Sequence, residues 1–202
     1  MDLEIRSLDL RYEGLRARDA ARERRLLSAI AAAGQQVPIV VVRDEAVRVV
    51  LDGYKRVRAL RRLGEDIVRA TVWDMGEADA LVLEWVMRDG AGSSALEQGW
   101  LLHELETRFA LGRDDLARRF DRTPSWVCRR LGLVCELPAS VQKHVRDGRI
   151  GAHAAMKHLV PLARVDGRED PRENGAPAAR QCWPSTIAIG QPGRDRGVRW
   201  VQ

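Results

Sequence analysis

Apolar residues recur along the first ninety positions with two alternating periods. In DAARERRLLSAIAAA (19–33), Leu26, Leu27, Ile30 and Ala33 share one helical face and Gly34 supplies a stop, so the spacing predicts a helix. Two β-branched runs follow, VPIVVVRD and AVRVVLD, and Asp44-Glu45 between them predicts a hairpin turn. Helical spacing returns from Tyr54 to Leu63 and ends at Gly64; the strand DIVRATVWD and a helix from about Glu77 to Arg88 complete a small α/β unit. The small residues of DGAGSSAL mark a linker or hinge at 89–95. From Leu96 to about Arg164 the period is helical throughout, with breaks at Gly112, Thr123-Pro124, Pro138 and Asp147-Gly148. Beyond Arg164 the chain is dense in Gly, Pro and Arg without a sustained period, which predicts a largely disordered tail; Trp183 and Trp200 would also suit a docking segment. The pattern as a whole predicts an α+β protein, with an α/β domain at 1–92, an all-helical domain at 93–165 and a tail at 166–202.

Composition narrows the class. Of 202 residues 45% are hydrophobic, enough for ordinary cores, yet no apolar run reaches the roughly 18 to 20 residues that span a bilayer. The opening MDLEIRSLDL alternates charged and apolar residues instead of presenting a signal-peptide core, so the expected location is the cytoplasm, without a membrane partner. Cys128, Cys135 and Cys182 match neither a disulfide framework nor a zinc-ligand spacing, and the four histidines have no partner spacing that suggests catalysis or metal binding. The net charge of +5 is uneven: residues 1–95 carry 16 Lys/Arg against 16 Asp/Glu, whereas residues 96–165 carry 12 against 8. The basic excess sits where a polyanion-binding module would put it.

Within that segment GRDDLARRFDRTPSWVCRRLGLVCELP has the spacing of a helix-turn-helix. Leu116, Ala117 and Phe120 form an inward stripe, Pro124 opens a second helix, and Val127 and Leu131 face back toward the first. Asp121 stands where glycine is usually favoured in the turn, and tolerates a left-handed backbone better than most residues. The outward positions Arg113, Arg122, Thr123, Ser125, Trp126, Arg129 and Arg130 are candidates for contact with double-stranded DNA, where arginine bonds phosphates or the O6/N7 edge of guanine. Trp126 could equally face a neighbouring helix. An ordinary helical hairpin with a solvated charged face is the alternative reading. A single recognition helix covers a half-site, so a homodimer on DNA is expected.

A second candidate site lies at the helix that begins DGYKRVRAL. Gly53 permits close approach of phosphate to a helix N-terminus, and Lys55 and Arg56 add positive charge, while Arg61 and Arg62 fall farther along on a solvated face. Arg58 falls between these roles. Trp73, Trp85, Trp100 and Phe109 sit among apolar neighbours and read as core or domain-interface residues.

Over about Leu3 to Leu162 the order of elements resembles the ParB family of chromosome and plasmid partition proteins, including KorB-like repressors. GQQVPIVV resembles that family's G-x-x-x-P-I segment, GYKRVRAL its G-E-R-R-x-x-A box, and EWVMR stands in the place of its E-N-x-x-R box. ELPASVQKHVRDGRIGAHAAMKHL resembles the family's two helices after the helix-turn-helix. The resemblance implies a ParB/sulfiredoxin-like N-terminal domain that takes CTP with magnesium, followed by a domain that reads a palindromic DNA site. It implies nucleotide contacts from Gly34, Pro38, Ile39, Gly53, Tyr54, Lys55, Arg56, Arg58, Glu84 and Arg88, with Glu84 associated with magnesium. Three positions depart from the boxes: Tyr54 replaces Glu, Lys55 replaces Arg and loses its bidentate fork, and Trp85 replaces Asn and its oxygen. The implied role is sequence-specific DNA binding in partition, mobile-element maintenance or local transcriptional control, at the nucleoid or a plasmid and with a ParA-like ATPase as a further partner. No catalytic residue is assigned. A CTP-hydrolysing clamp is the enzymatic alternative. A ParB-like nuclease is a weaker one, since Asp52, Asp74, Glu77, Asp79 and Glu84 are spaced like surface acids, and a sulfiredoxin would need a cysteine beside the phosphate box.

Overall fold

The two β-branched runs form the centre of a sheet. A computed structural model describes residues 1–44, 47–88 and 92–166. In it β1 (Asp2–Glu4), β2 (Leu8–Asp9), β3 (Ile39–Asp44), β4 (Val47–Asp52) and β5 (Ile67–Trp73) lie in the order β1-β5-β3-β4-β2. β3 and β4 pair as an antiparallel hairpin, with Val42 opposite Val49, while β3 runs parallel to β5 and β2 parallel to β4. Val41, Val42, Val49, Val50 and Leu51 are all fully buried. Consecutive rather than alternating burial means that both faces of these strands are covered, which explains their unbroken apolar sequence.

Helices α1 (Ala20–Ala33), α2 (Tyr54–Leu63) and α3 (Glu77–Met87) accompany the sheet. Asp19 caps α1 by accepting the N–H groups of Ala21 and Arg22, each at 3.0 Å, and Gly34 ends it with φ 69°. Of the predicted face of α1 only Ile30 is fully buried, so α1 lies lightly on the molecule and packs chiefly against α2. β1, β2 and the two short 3-10 turns at Ile5–Ser7 and Glu13–Leu15 leave no trace in the hydrophobic pattern; they are too short to show a period.

The remaining described elements are helical: α4 (Ala95–Arg108), α5 (Arg113–Arg119), α6 (Pro124–Cys135) and α7 (Ala139–Arg146), then contiguous segments α8 (Ala152–Ala154), a π-helical turn (Ala155–Leu159) and α9 (Val160–Asp166). Ser94 and Glu97 form a capping box at the start of α4, each side chain bonding the other's backbone N–H at 3.2 and 2.8 Å. α6 packs on α4 at Gly99, where an added Cβ would sit 2.6 Å from the Arg130 carbonyl oxygen and 2.7 Å from Val134 Cγ2. Because one neighbour is backbone, it cannot swing aside. Gly99→Val is therefore expected to destabilise the protein by about 2 kcal/mol or more, read as an earlier midpoint in urea unfolding.

The strand-rich and helical parts are joined by side chains as well as by the chain. Glu77 on α3 receives Tyr12, Arg11 and Arg108 of α4, and Asp79 receives Arg119 of α5. Residues 89–91 of the predicted hinge, Glu45 of the predicted hairpin turn and the predicted tail from 167 onward, with Cys182, Trp183 and Trp200, lie outside the described residues. No described helix is long and apolar enough to cross a membrane.

Candidate functional site

The first turn of α2 opens onto a cleft of about 380 Å³. Gly53 precedes the helix in a left-handed conformation, φ 105°, and its carbonyl accepts the N–H groups of Arg56 at 2.8 Å and Val57 at 3.0 Å. An N-terminal turn leaves its first N–H groups without intrahelical acceptors, so the cleft begins with backbone donors and the positive end of a helix dipole. Six cationic side chains line it: Arg16, Arg22, Lys55, Arg56, Arg58 and Arg88. Three acids, Glu13, Asp52 and Glu97, line it too.

Almost every cation is held by an acid. Arg56 pairs with Asp52 one turn back, Arg58 bridges Glu13 and Glu23, the latter at 2.6 Å, and Arg22 pairs with Asp19 at 3.2 Å. Arg16 and Arg88 converge on Glu84, which is 4% exposed and sits behind the cleft wall; Arg88 Nε lies 3.1 Å from Glu84 Oε1, an ion pair without the alignment of a hydrogen bond. Burial raises the carboxyl pKa of Glu84 above its ordinary value, against the opposing pull of Arg16. Glu97 accepts from the backbone N–H groups of Ala17 and Ser94, both at 2.8 Å. Two guanidinium N–H groups on cleft-lining residues, Arg58 Nε and Arg88 Nε, are buried with no hydrogen-bond acceptor among the described residues. Lys55 makes no ion pair with a described residue. Cations gathered beside a helix start suit an anionic, oxygen-rich ligand.

Of the residues singled out in the sequence, Gly53, Tyr54, Lys55, Arg56, Arg58 and Arg88 meet at this cleft. Tyr54 is turned inward: it is buried, its hydroxyl donates to the Val50 carbonyl at 2.6 Å, and burial pushes its phenol pKa upward. Gly34 and Pro38 are exposed on the loop after α1 and do not line the cleft, and Ile39 lies in the core beneath Gly53. Glu84 is an anchor for two cleft arginines rather than a lining group. Arg16, Arg22, Glu13 and Glu97 join the cleft without a ligand-binding signal in the sequence: Glu13 and Arg16 come from a charge-rich connection, Arg22 from the first turn of α1, and Glu97 is marked only by its capping box with Ser94.

Forty residues on, the two-helix unit forms as its apolar spacing demands. Leu116, Ala117, Phe120, Val127 and Leu131 are all buried, Thr123 caps α6 by accepting the Trp126 N–H at 3.3 Å, and Asp121 takes φ 49° in the turn. Arg113, Arg122, Thr123, Ser125 and Arg129 are exposed. Ser125 and Arg129, one turn apart, share a face of α6, and Arg122 stands at its N-terminal end. Arg113 is tethered to Glu106 at 2.9 Å. The other two predicted DNA residues are half-buried against α3 and α4. Trp126 packs against Trp85 and Phe120 with ring centroids at 6.1 and 6.3 Å, and the Arg130 guanidinium stacks 4.8 Å from its ring. Arg130 also donates to Gln98 Oε1 at 3.1 Å, and burial draws its pKa down. Trp85 is buried and 4.8 Å from Phe120, so the aromatic cluster ties α3 to the turn and to the start of α6.

With this geometry in view, solved structures give the class of fold. The N-domain of a pNOB8-like ParB is similar to this chain at 14% identity and a TM-score of 0.53, over 84% of this chain and 82% of that one. A second structure of the pNOB8-like ParB N-domain is similar at 16% identity and a TM-score of 0.50, over 82% and 77%. The C-terminally truncated chromosome-partitioning protein ParB from Caulobacter crescentus, complexed to the centromeric parS site, aligns at 22% identity and a TM-score of 0.46, over 83% and 92%. No protein-family model and no curated protein matches the sequence. The chain is an α+β protein with a ParB-like fold.

Proposed function

We propose that this chain is a sequence-specific DNA-binding protein of the ParB type, which reads DNA with α6 and takes a nucleoside triphosphate in the cleft at α2. The observation that carries the DNA reading is the exposed group Arg122, Thr123, Ser125 and Arg129 at the N-terminal end of a helix whose opposite face is fully packed. A helix N-terminus with two exposed guanidinium groups and two hydroxyls has what a major groove and its flanking phosphates require. One such helix covers a half-site, so two copies would share a palindromic target. Partition, mobile-element maintenance and local transcriptional control all use that arrangement, and a ParA-like ATPase is the expected partner in the first. The cleft supports CTP as the second ligand through its six cations and the backbone donors at the start of α2.

The test is selection of fragments from a genomic DNA library at two salt concentrations. Retention of defined fragments over bulk DNA is the expected result; uniform retention or none overturns sequence-specific binding. On a selected site, Arg129→Ala is expected to weaken binding by about tenfold or more if it reads a base, and Arg122→Ala to shallow the salt dependence by about one unit of slope if it meets a phosphate. Arg130→Ala should leave the salt slope unchanged, because its guanidinium is committed to Trp126 and Gln98.

A further inference from the structure

We infer that the cleft holds the phosphates of its nucleotide by guanidinium and backbone charge alone, with no magnesium ion bound by a protein oxygen. This rests on the reading of the cleft as a nucleotide site and concerns what neutralises the phosphates there. Magnesium demands near-octahedral oxygen ligands at about 2.0–2.1 Å and is ordinarily fixed by one or two carboxylates together with phosphate oxygens. The carboxylates at this cleft are already committed. Glu84 is buried behind the wall and shared by Arg16 and Arg88; Asp52 holds Arg56, Glu13 holds Arg58 and Arg18, and Glu97 has an oxygen on each of two backbone N–H groups. Freeing Glu84 for a cation would leave two partly buried guanidinium groups without their acid, and electrostatic repulsion between them and the incoming ion would oppose the exchange. The next residue on α3, Trp85, offers no oxygen and is packed away against Phe120. Magnesium therefore does not fit the residues present.

Positive charge at the cleft comes from Lys55, the start of α2 and arginines that each also hold an acid. Arginine keeps its charge at every accessible pH and meets phosphate with two parallel N–H donors, and five arginines line the cleft beside Lys55 and the start of α2. Arg58 Nε and Arg88 Nε lack hydrogen-bond acceptors among the described residues. In this arrangement Glu84 is a positioning residue: it fixes the direction of Arg16 and Arg88 and touches neither nucleotide nor metal.

Equilibrium binding of CTP to the full chain, measured by calorimetry in magnesium and again in excess EDTA, tests this. The expected result is binding in both media with dissociation constants within about threefold of each other. Tightening by tenfold or more in magnesium overturns the inference and leaves the nucleotide reading standing, whereas absence of binding in both media overturns the two together. Glu84→Gln gives an independent readout. It should weaken binding by the same factor in both media, because the anchor of two arginines is lost whatever the cation; a loss confined to the magnesium arm would make Glu84 a metal ligand and overturn the inference. Should that variant fold poorly, the comparison on the unsubstituted chain decides alone.

Discussion

Replacing Gly53 with alanine is expected to destabilise the protein by about 3 kcal/mol and to abolish ligand binding at the cleft. Two costs add. At φ 105° an L-residue is strained by roughly 1–2 kcal/mol, and the new Cβ would lie 2.5 Å from Ile39 Cγ2 and 2.8 Å from Ile39 Cβ. Ile39 is fully buried, so it cannot retreat without disturbing the start of β3. Gly64, at φ 79° and with nothing within 4 Å of where a Cβ would sit, separates the two terms: Gly64→Ala carries the backbone strain without the clash and should cost about 1 kcal/mol. Urea unfolding of both variants gives the difference. Equal losses would show that crowding against Ile39 contributes nothing.

The second large effect is expected at Trp85. Trp85→Ala should cost about 4 kcal/mol, in the range for removing a buried tryptophan, and should weaken DNA binding even at temperatures where the variant is folded, since Phe120 and Trp126 lose the ring that seats the turn and the first residues of α6. Trp85→Phe is the informative comparison. It gives up part of the packing but also deletes an indole N–H that is buried with no acceptor among the described residues, so its cost should stay near or below 1.5 kcal/mol. Urea midpoints with affinity for a selected DNA site measure both quantities; undiminished DNA affinity in Trp85→Ala would detach the aromatic cluster from DNA reading.

The elements that can be read from the chain are those whose period has room to repeat. α2, with Gly53 before it and Gly64 after it, the β3–β4 hairpin and the α5–turn–α6 unit all carry both a pattern and a stop. The start of α2, where Gly53, Lys55 and Arg56 line the cleft, is legible for the same reason. The rest of the cleft is not, because the local sequence marks Arg16 and Arg22 only as charged and Glu97 only as the capping-box partner of Ser94. At α6 the outward positions are marked by spacing alone, and spacing does not distinguish solvent from a neighbouring helix. Trp126 and Arg130 point outward from the α5–α6 pair but meet α3 and α4 there, so they are covered. Glu84 is marked by its box, yet its commitment to Arg16 depends on a contact across 68 residues that no local pattern records.

The cleft is stitched from four stretches of chain: the turn around Arg16, the start of α1, the start of α2, and the junction of α3 with α4. Contacts of such separation are entropically costlier to close than those of the β3–β4 hairpin and of the local helix pairs. A ligand bound there would cross-link regions that otherwise open independently, so its binding energy would be felt as resistance to partial unfolding throughout the first hundred residues, most of all in the sparsely buried α1.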